Sequence, residues 1–218
     1  MAQQSLKATA DAYAAHPSRE LLDQLCVSLE SESISLQDIV YASKTAGKAT
    51  QEDAKLLEAV IKACEKQGAD AVKFGACDAI YAVGNNSKKN PDTAAATLIW
   101  VRQCSPMLGP MYSDVLIKAG LVRLSLEIGE SHFHKSEVIT RECLDTLVSL
   151  IKSGTARTQK QLRLMGVSEL LSDVEQKYAS NEVIVARSRE IVSLLRMDVK
   201  PGGAGLFCCL AMASAGSV

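Results

Sequence analysis

The chain has 218 residues, and its 24 basic and 25 acidic side chains give a formal charge of −1. Both signs are mixed along the sequence, which excludes the concentrated basic face that nucleic-acid binding requires. Aromatic residues make up only 4% of the chain, so Leu, Ile, Val and Ala must fill the core. That composition favours closely packed helices over a β-sandwich.

The cysteines and the N-terminus indicate a reducing compartment, and we expect a cytoplasmic protein. The first residues, MAQQSLKATADAYAAH, lack the basic region and the apolar run of a secretory signal peptide. No stretch reaches the roughly 20 apolar residues that span a bilayer. The cysteine count is odd, and five cysteines lie among apolar residues at helical spacing, where a free thiol behaves as a small hydrophobe. These are Cys26, Cys64, Cys77, Cys104 and Cys143.

The N-terminal half repeats its apolar residues at the helical period. Five helices are predicted there, beginning near Ser18, Ser35, Thr50, Ala71 and Asp92. Ser18 is a natural N-cap, and Asp92 is expected to cap the fifth helix. The fourth helix is expected to stop at Gly84-Asn85-Asn86, because glycine and asparagine favour helix ends.

The C-terminal half begins with a break in the helical pattern at 104–110, where two prolines and a glycine predict a hinge. Helices resume at 111–119, 120–129, 136–152, 156–177 and 181–197, the fourth of them split near Gly166. Alternating strand patterns are absent, so the sequence predicts an all-α fold. Residues 1–200 form one domain in this interpretation, and 201–218 form a flexible, apolar C-terminal tail.

Two segments of the C-terminal half match each other at a period of about 45 residues. Each has a glycine, a helix, a loop, and an acidic residue that opens a second, Leu-rich helix. The first segment contains Gly120, Glu137-Val138-Ile139 and residues 147–151, and the second contains Gly166, Glu182-Val183-Ile184 and residues 191–195.

This arrangement resembles an armadillo repeat, in which a glycine marks the turn between a short first helix and the second, and a longer third helix follows. Residues 72–86 resemble one more third helix, with Asp78 parallel to Asp145. The resemblance covers roughly 70–197, and HEAT-like helix pairs fit residues 1–70 equally well. It implies a short right-handed α-solenoid of armadillo/HEAT-like repeats. A helical bundle without repeats is the alternative.

The resemblance implies a scaffold or adaptor that binds another protein in a concave groove lined by the third helices. Importin-type armadillo proteins clamp a peptide there with Trp and Asn. Here Asp78 and Asp145 stand at the Trp positions, and Ala82 and Ser149 at the Asn positions. With Glu142 and Glu190, the aspartates are expected to make the groove acidic and to attract a basic or extended partner segment. The alternative is that these carboxylates are ordinary solvated charges.

The sequence carries no motif that favours catalysis or a cofactor. It has no nucleophile elbow, P-loop, HExxH or EF-hand pattern. His132-Phe133-His134 with Glu137 has a metal-like composition, but such a cluster is more often a polar loop with the Phe turned inward, so no metal site is predicted.

Two other functions stay open at this point. Acylation of Cys208 and Cys209 would make the chain a peripheral membrane adaptor, and the membrane would be a partner only in that case. A ligand-binding helical bundle would instead need a closed pocket of several hundred Å³.

Overall fold

The structure, a computed structural model, describes residues 6–31, 34–49, 54–68, 71–104 and 112–195. These residues form twelve α-helices and one π-helical turn, with no strand among them. The all-α prediction is therefore confirmed. None of the helices in these ranges is long and apolar enough to cross a membrane.

The first six helices are α1 (Leu6–Ala15), α2 (Arg19–Leu29), α3 (Leu36–Ala46), α4 (Ala54–Lys66), α5 (Cys77–Asn86) and α6 (Pro91–Gln103), with the π-helical turn Val72–Ala76 before α5. The last six are α7 (Tyr112–Lys118), α8 (Leu121–His132), α9 (Glu137–Ser153), α10 (Ala156–Leu164), α11 (Val167–Lys177) and α12 (Glu182–Leu195). The predicted hinge at 104–110, the cap at Thr50 and the tail at 201–218 fall largely or wholly outside the described residues.

Polar side chains cap the helices where the sequence placed them, with one exception. The Ser18 and Ser35 hydroxyls each accept a hydrogen bond from the backbone N–H three residues later, at 3.2 Å. The cap of α6 is Asn90 rather than Asp92, because the Asn90 side chain accepts from the N–H of Asp92 and of Thr93 at 2.9 and 3.1 Å. Pro91 then takes the first helical position, where no N–H is needed.

The helix α5 ends at Asn86, within the predicted stop Gly84-Asn85-Asn86, but Gly84 itself lies inside the helix and does not end it. Gly84 is instead a point of close packing. A Cβ on it would lie 2.8 Å from Thr97 Oγ1 of α6 and 3.4 Å from a Leu124 methyl of α8. The local preference of glycine for helix ends is overridden by the space that neighbouring helices take.

Ten helices form two rows that are defined by their contacts. The first row is α1, α3, α5, α8 and α11, and the second row is α2, α4, α6, α9 and α12. Within each row every helix packs against the next, and the rows pack on one another through α1 with α2, α3 with α4, α5 with α6, α8 with α9 and α11 with α12. The short helices α7 and α10 pack against each other, and each packs against the first-row helix that follows it.

A left-handed glycine precedes each of the last three helices of the first row. Gly75, Gly120 and Gly166 have φ values of +140°, +82° and +87° and are 45 and 46 residues apart. Other residues adopt this region at a cost of roughly 1–2 kcal/mol. Gly68, which follows α4 with a φ of +80°, also adopts this region, and the other three glycine turns lie just before α5, α8 and α11.

From α5 to α12, the helix caps and the hydrogen bonds between successive units recur with the same spacing. The second-row helices α6, α9 and α12 are capped by the side chains of Asn90, Ser136 and Asn181. At the ends of the first-row helices, His132 Nε2 lies 2.8 Å from the Lys88 carbonyl oxygen, and the Tyr178 hydroxyl donates to the Phe133 carbonyl at 2.8 Å. A unit of glycine turn, first-row helix and second-row helix thus occurs three times.

This recurrence corrects the alignment of residues 72–86, which the sequence had matched to a third helix. The segment contains the Gly75 turn and α5, and α5 lies in the first row with α8 and α11. The counterpart of α9 and α12 is α6. Asp78 of α5 and Asp145 of α9 therefore lie in different rows.

The core lies between the rows and consists mainly of Leu, Ile, Val and Ala. All five cysteines of the described residues are buried and form no disulfide, as predicted. Burial raises the pKa of Cys64, Cys77 and Cys143 to about 12, so these thiols stay protonated at neutral pH. They act as small apolar side chains.

Replacing a buried leucine of the repeated unit is expected to destabilise the fold. Leu147 and Leu170 are 0% and 3% exposed, so Leu147→Ala or Leu170→Ala should lower the free energy of unfolding by roughly 2–5 kcal/mol. Urea denaturation followed by circular dichroism measures this. Val138, 67% exposed, is the control, and Val138→Ala should change stability by less than about 0.5 kcal/mol. A near-neutral result at both leucines would contradict the packing described here.

A second prediction concerns the close approach of three helices at Gly129. A Cβ there would lie 2.6 Å from Cys143 Sγ and 3.1 Å from a Leu170 methyl. Gly129→Ala should therefore destabilise the protein by roughly 1–3 kcal/mol through overpacking. Combining it with Cys143→Ala removes the clashing sulfur, so the double variant should be more stable than the sum of the single effects implies. Additive losses would show that the sulfur is not the obstacle.

Candidate binding surface on the second row

The structure brings four of the six predicted binding residues together and separates the other two. Glu142, Asp145 and Ser149 lie on α9, and Glu190 lies on α12, the next helix of the second row. Asp78 and Ala82 lie on α5, in the first row. The surface described below is therefore built from the second row alone.

Asp78 and Ala82 belong to the contact between α3 and α5. Lys44 of α3 donates to Asp78 Oδ2 at 3.1 Å. A Cβ on Gly47, just after α3, would lie 2.9 Å from the Ala82 carbonyl oxygen. Both predicted residues thus contact α3 or the residue that follows it, and neither takes part in the ion pairs of α9.

The helix α9 presents one continuous stripe to solvent. Val138, Glu142, Asp145, Ser149 and Lys152 follow one another at spacings of four, three, four and three residues, which places them on one helix face. Val138 and Lys152 are exposed, and Glu142, Asp145 and Ser149 are half-buried. The stripe runs from an exposed valine at the N-terminus, through carboxylates, to a lysine at the C-terminus.

The neighbouring helix α12 carries a similar stripe. Val183, Arg187, Glu190 and Leu194 follow at spacings of four, three and four residues. Val183 is 62% exposed and occupies the same place in its helix as Val138, which is 67% exposed. The N-terminal ends are linked, because Asn181 donates to Glu137 Oε1 at 2.9 Å.

Six side chains from three helices form a second-row charge network, namely Arg102, Glu142, Asp145, Lys152, Arg187 and Glu190. Arg102 of α6 lies 3.0 Å from Glu142 and 3.8 Å from Asp145. Arg187 of α12 lies 2.7 Å from Asp145. The network thus crosses α6, α9 and α12 without interruption.

Lys152 and Glu190 join α9 to α12 a second time. Glu190 accepts from Lys152 at 2.7 Å and from Arg187 at 2.6 Å. The hydrogen bond from Lys152, followed by that from Arg187, lowers the pKa of Glu190. The hydrogen bond to Glu190 in turn raises the pKa of Arg187. Both groups are therefore held in their charged forms.

The carboxylates do not create the acidic surface that the sequence suggested, since three cations face the three of them. Glu142 shows that this ion pairing is partly buried. Its Oε2 is inaccessible to solvent and accepts no well-aligned hydrogen bond, so the cation of Arg102 at 3.0 Å is what compensates its burial. The surface presents both signs of charge beside two exposed valines.

Sequence reasoning missed the valines and the three cations. The valines could have been found, because Glu-Val-Ile recurs at the start of α9 and of α12, with the valine on the face opposite the core. The cations could not, because Arg102 and Arg187 are 40 or more positions away from the residues of α9 that they pair with. Only the packing of α6, α9 and α12 makes them neighbours.

The histidine cluster does not gather ligands. His132 is 3% exposed and its Nε2 lies 2.8 Å from the Lys88 carbonyl oxygen, while Phe133 packs inward against the His134 ring with centroids 3.6 Å apart. Within the described ranges, no group of three His, Cys, Asp or Glu side chains could hold a metal ion. The cluster serves the contact between α8 and the turn after α5.

One pocket among the described residues lies at the other end of the protein. It encloses about 300 Å³ between α2, α3 and α4 and is lined by Leu29, Ser31, Ile34, Ile39, Ala63, Lys66 and Gln67. Lys66 and Gln67 are engaged in structure, since they donate to the carbonyls of Glu30 and Ile34 at 2.6 and 2.9 Å. Cys208 and Cys209 lie outside the described residues.

The ion pairs at Glu190 give a pH prediction. Because the folded pKa of Glu190 is lowered, this group stabilises the fold above its unfolded pKa of about 4.3, and the contribution is lost as the pH falls through the folded pKa. Urea titrations between about pH 5 and pH 3 should show a shallower loss of stability in Glu190→Gln than in the wild type. Lys152→Met should make the loss shallower too, whereas identical slopes in all three proteins would contradict the pairing.

No family, no curated protein and no solved structure matches the chain. Its function therefore has to be argued from its own contacts and charges.

Proposed function

We propose that the chain is a non-catalytic interaction scaffold, a short α-solenoid of armadillo/HEAT-like repeats that binds an extended segment of another protein along the second row. The observation that carries the proposal is the paired stripe of α9 and α12, in which each helix presents an exposed valine at its N-terminal end followed by charged residues. We expect the protein to act in the cytoplasm.

The solenoid is supported by the recurrence of one unit. Glycine turns at positions 75, 120 and 166 each precede a first-row and a second-row helix. One such unit cannot cover its own apolar face, so it has to stack on its neighbours. Repetition of this kind also repeats the surface, which is why α9 and α12 carry comparable stripes.

The valines would supply most of the binding free energy. Fully burying a valine side chain is worth roughly 1.5–3 kcal/mol, and Val138 and Val183 are mostly exposed in the free chain. Packed helices are separated by about 8–10 Å. A segment in the polyproline II conformation places residues i and i+3 on one side, about 9 Å apart. Two apolar residues at that spacing would therefore match the two helices.

The second-row charge network would set the orientation of the segment. Its ion pairs are partly exposed, and such pairs are individually worth only about 0–1 kcal/mol. A partner side chain of either sign can therefore displace one member at little cost. We favour an extended segment that carries both charges and apolar residues over a purely basic one.

Two alternative functions remain as proposals of lower rank. A membrane adaptor depends on acylation of Cys208 and Cys209 and would be visible as membrane fractionation that is lost when both become serine. A ligand-binding bundle would use the cavity between α2 and α4, whose polar lining residues already serve the fold. Neither of these functions would use the exposed stripes of α9 and α12.

The test is quantitative affinity capture from the protein's own cells with three baits. Val138→Glu/Val183→Glu should lose the partner, because it places two carboxylates where apolar contacts form, and recovery should fall about tenfold or more. The matched control is Val27→Glu, which makes the same change at a valine of α2 that is 69% exposed. It should recover the partner as the wild type does.

Two results would contradict the proposal. A partner that is retained by the double variant binds elsewhere, and the absence of any partner from all three baits would argue against a scaffold. Circular dichroism melting of each bait confirms that the substitutions leave the fold intact, as expected for exposed positions.

A further inference from the structure

The helix α10 is unusual in its charge. Its sequence, ARTQKQLRL, contains Arg157, Lys160 and Arg163 and no acidic residue. All three cations are exposed. The helix belongs to neither row, and it packs against α7, α9 and α11. It is therefore a basic element on a protein whose overall charge is nearly zero.

The cations share one face with an exposed leucine. Thr158 and Leu162 are the buried residues of α10. With about 100° between successive residues of an α-helix, Arg163, Lys160, Leu164 and Arg157 fall in one arc of about 120° on the opposite side. Leu164 is 71% exposed, so it projects into solvent between the charges.

These cations have no acidic partner among the residues that the structure describes, a state they share with Lys62, Lys89 and Lys135, whereas Lys88, Arg102, Arg123 and Arg141 form ion pairs. The next carboxylate along the chain, Glu169, lies in the first turn of α11, where it complements the helix dipole. Three unpaired cations on one arc repel each other, and an external anion would relieve that repulsion.

We propose that the exposed face of α10 is a second docking surface, which binds an acidic segment of a partner protein that carries an apolar residue for Leu164. Two of the three cations are arginines, whose planar guanidinium groups bind carboxylates through two parallel hydrogen bonds. Nine residues of helix are about 14 Å long, which corresponds to about four residues of an extended segment. A short acidic motif is thus long enough to meet every group of the arc.

A protein segment fits this face better than an anionic bilayer does. An interfacial helix buries a broad apolar face in the membrane, whereas the apolar residue Leu162 of α10 is turned into the protein and is 0% exposed. Leu164 is the one large apolar side chain of this helix that is left to insert, since the other exposed apolar residue is the small Ala156. The proposal is independent of the second-row surface, since α10 carries none of its residues.

The test measures binding of a fluorescent peptide to the full chain by anisotropy. The peptide has about ten residues, with glutamates on both sides of one leucine, and its matched control has glutamine in place of every glutamate. Arg157→Glu/Lys160→Glu/Arg163→Glu should weaken binding of the acidic peptide about tenfold or more. Lys62→Glu/Lys89→Glu/Lys135→Glu, which changes the net charge equally at exposed lysines elsewhere, should bind it as the wild type does.

Leu164→Ala separates docking from general attraction between charges. The side chain is exposed, so stability should not change, but the affinity for the acidic peptide should fall severalfold. Equal weakening by the two triple variants, or no effect of Leu164→Ala, would overturn the proposal. A third result would also overturn it: the protein fails to bind the peptide but sediments with phosphatidylserine vesicles, and that sedimentation is lost in the α10 triple variant.

Discussion

The structure depends on close stacking of each helix pair on the next. Two points of close approach are Gly84 of α5 and Gly129 of α8, where a single added carbon would meet both the second-row partner and the next first-row helix. At Gly84 these are Thr97 and Leu124, and at Gly129 they are Cys143 and Leu170. The two glycines are separated by 45 positions, so the same three-helix contact is made twice. This contact fixes how closely α5, α8 and α11 follow one another along the first row.

Stacking at a fixed distance also keeps the surface stripes in register. The caps Ser136 and Asn181 start α9 and α12 at equivalent points, and the hydrogen bond between Asn181 and Glu137 holds those starts together. As a result Val138 and Val183 lie at the same level of neighbouring helices. A groove for an extended segment needs such register, because the segment has a fixed rise per residue.

Local features of the fold were predictable from the sequence, and features that depend on long-range packing were not. Ser18 and Ser35 cap helices because the hydroxyl and the N–H are three residues apart, which any sequence displays directly. The burial of the cysteines followed from their apolar neighbours in the same helix. The row of α5 was misassigned because its apolar pattern is that of any amphipathic helix. Its position was marked instead by Gly75, whose left-handed turn aligns it with Gly120 and Gly166.

The candidate site also has residues that were predictable from the sequence and residues that were not. The sequence identified Asp145 through the resemblance to an armadillo repeat, and Glu142 and Glu190 as further carboxylates of the predicted groove. It suggested an acidic groove because a carboxylate shows its charge in the sequence but not its neighbours. Arg102 and Arg187 approach Asp145 from separate helices, and this neutralisation exists only after α6, α9 and α12 have packed. The charge of a helical surface therefore cannot be counted from one helix at a time.

The buried cysteines give the protein a set of internal reporters of local motion. Cys26, Cys64, Cys77 and Cys143 lie in α2, α4, α5 and α9, and Cys104 caps α6. A thiol that is buried and protonated does not react with alkylating reagents until its surroundings open. At high reagent concentration, the labelling rate at each cysteine equals the rate at which its surroundings open. At low reagent concentration, the rate is proportional to the equilibrium fraction of the open form. Alkylation of these native thiols can therefore reveal whether the first four helix pairs open one by one or together.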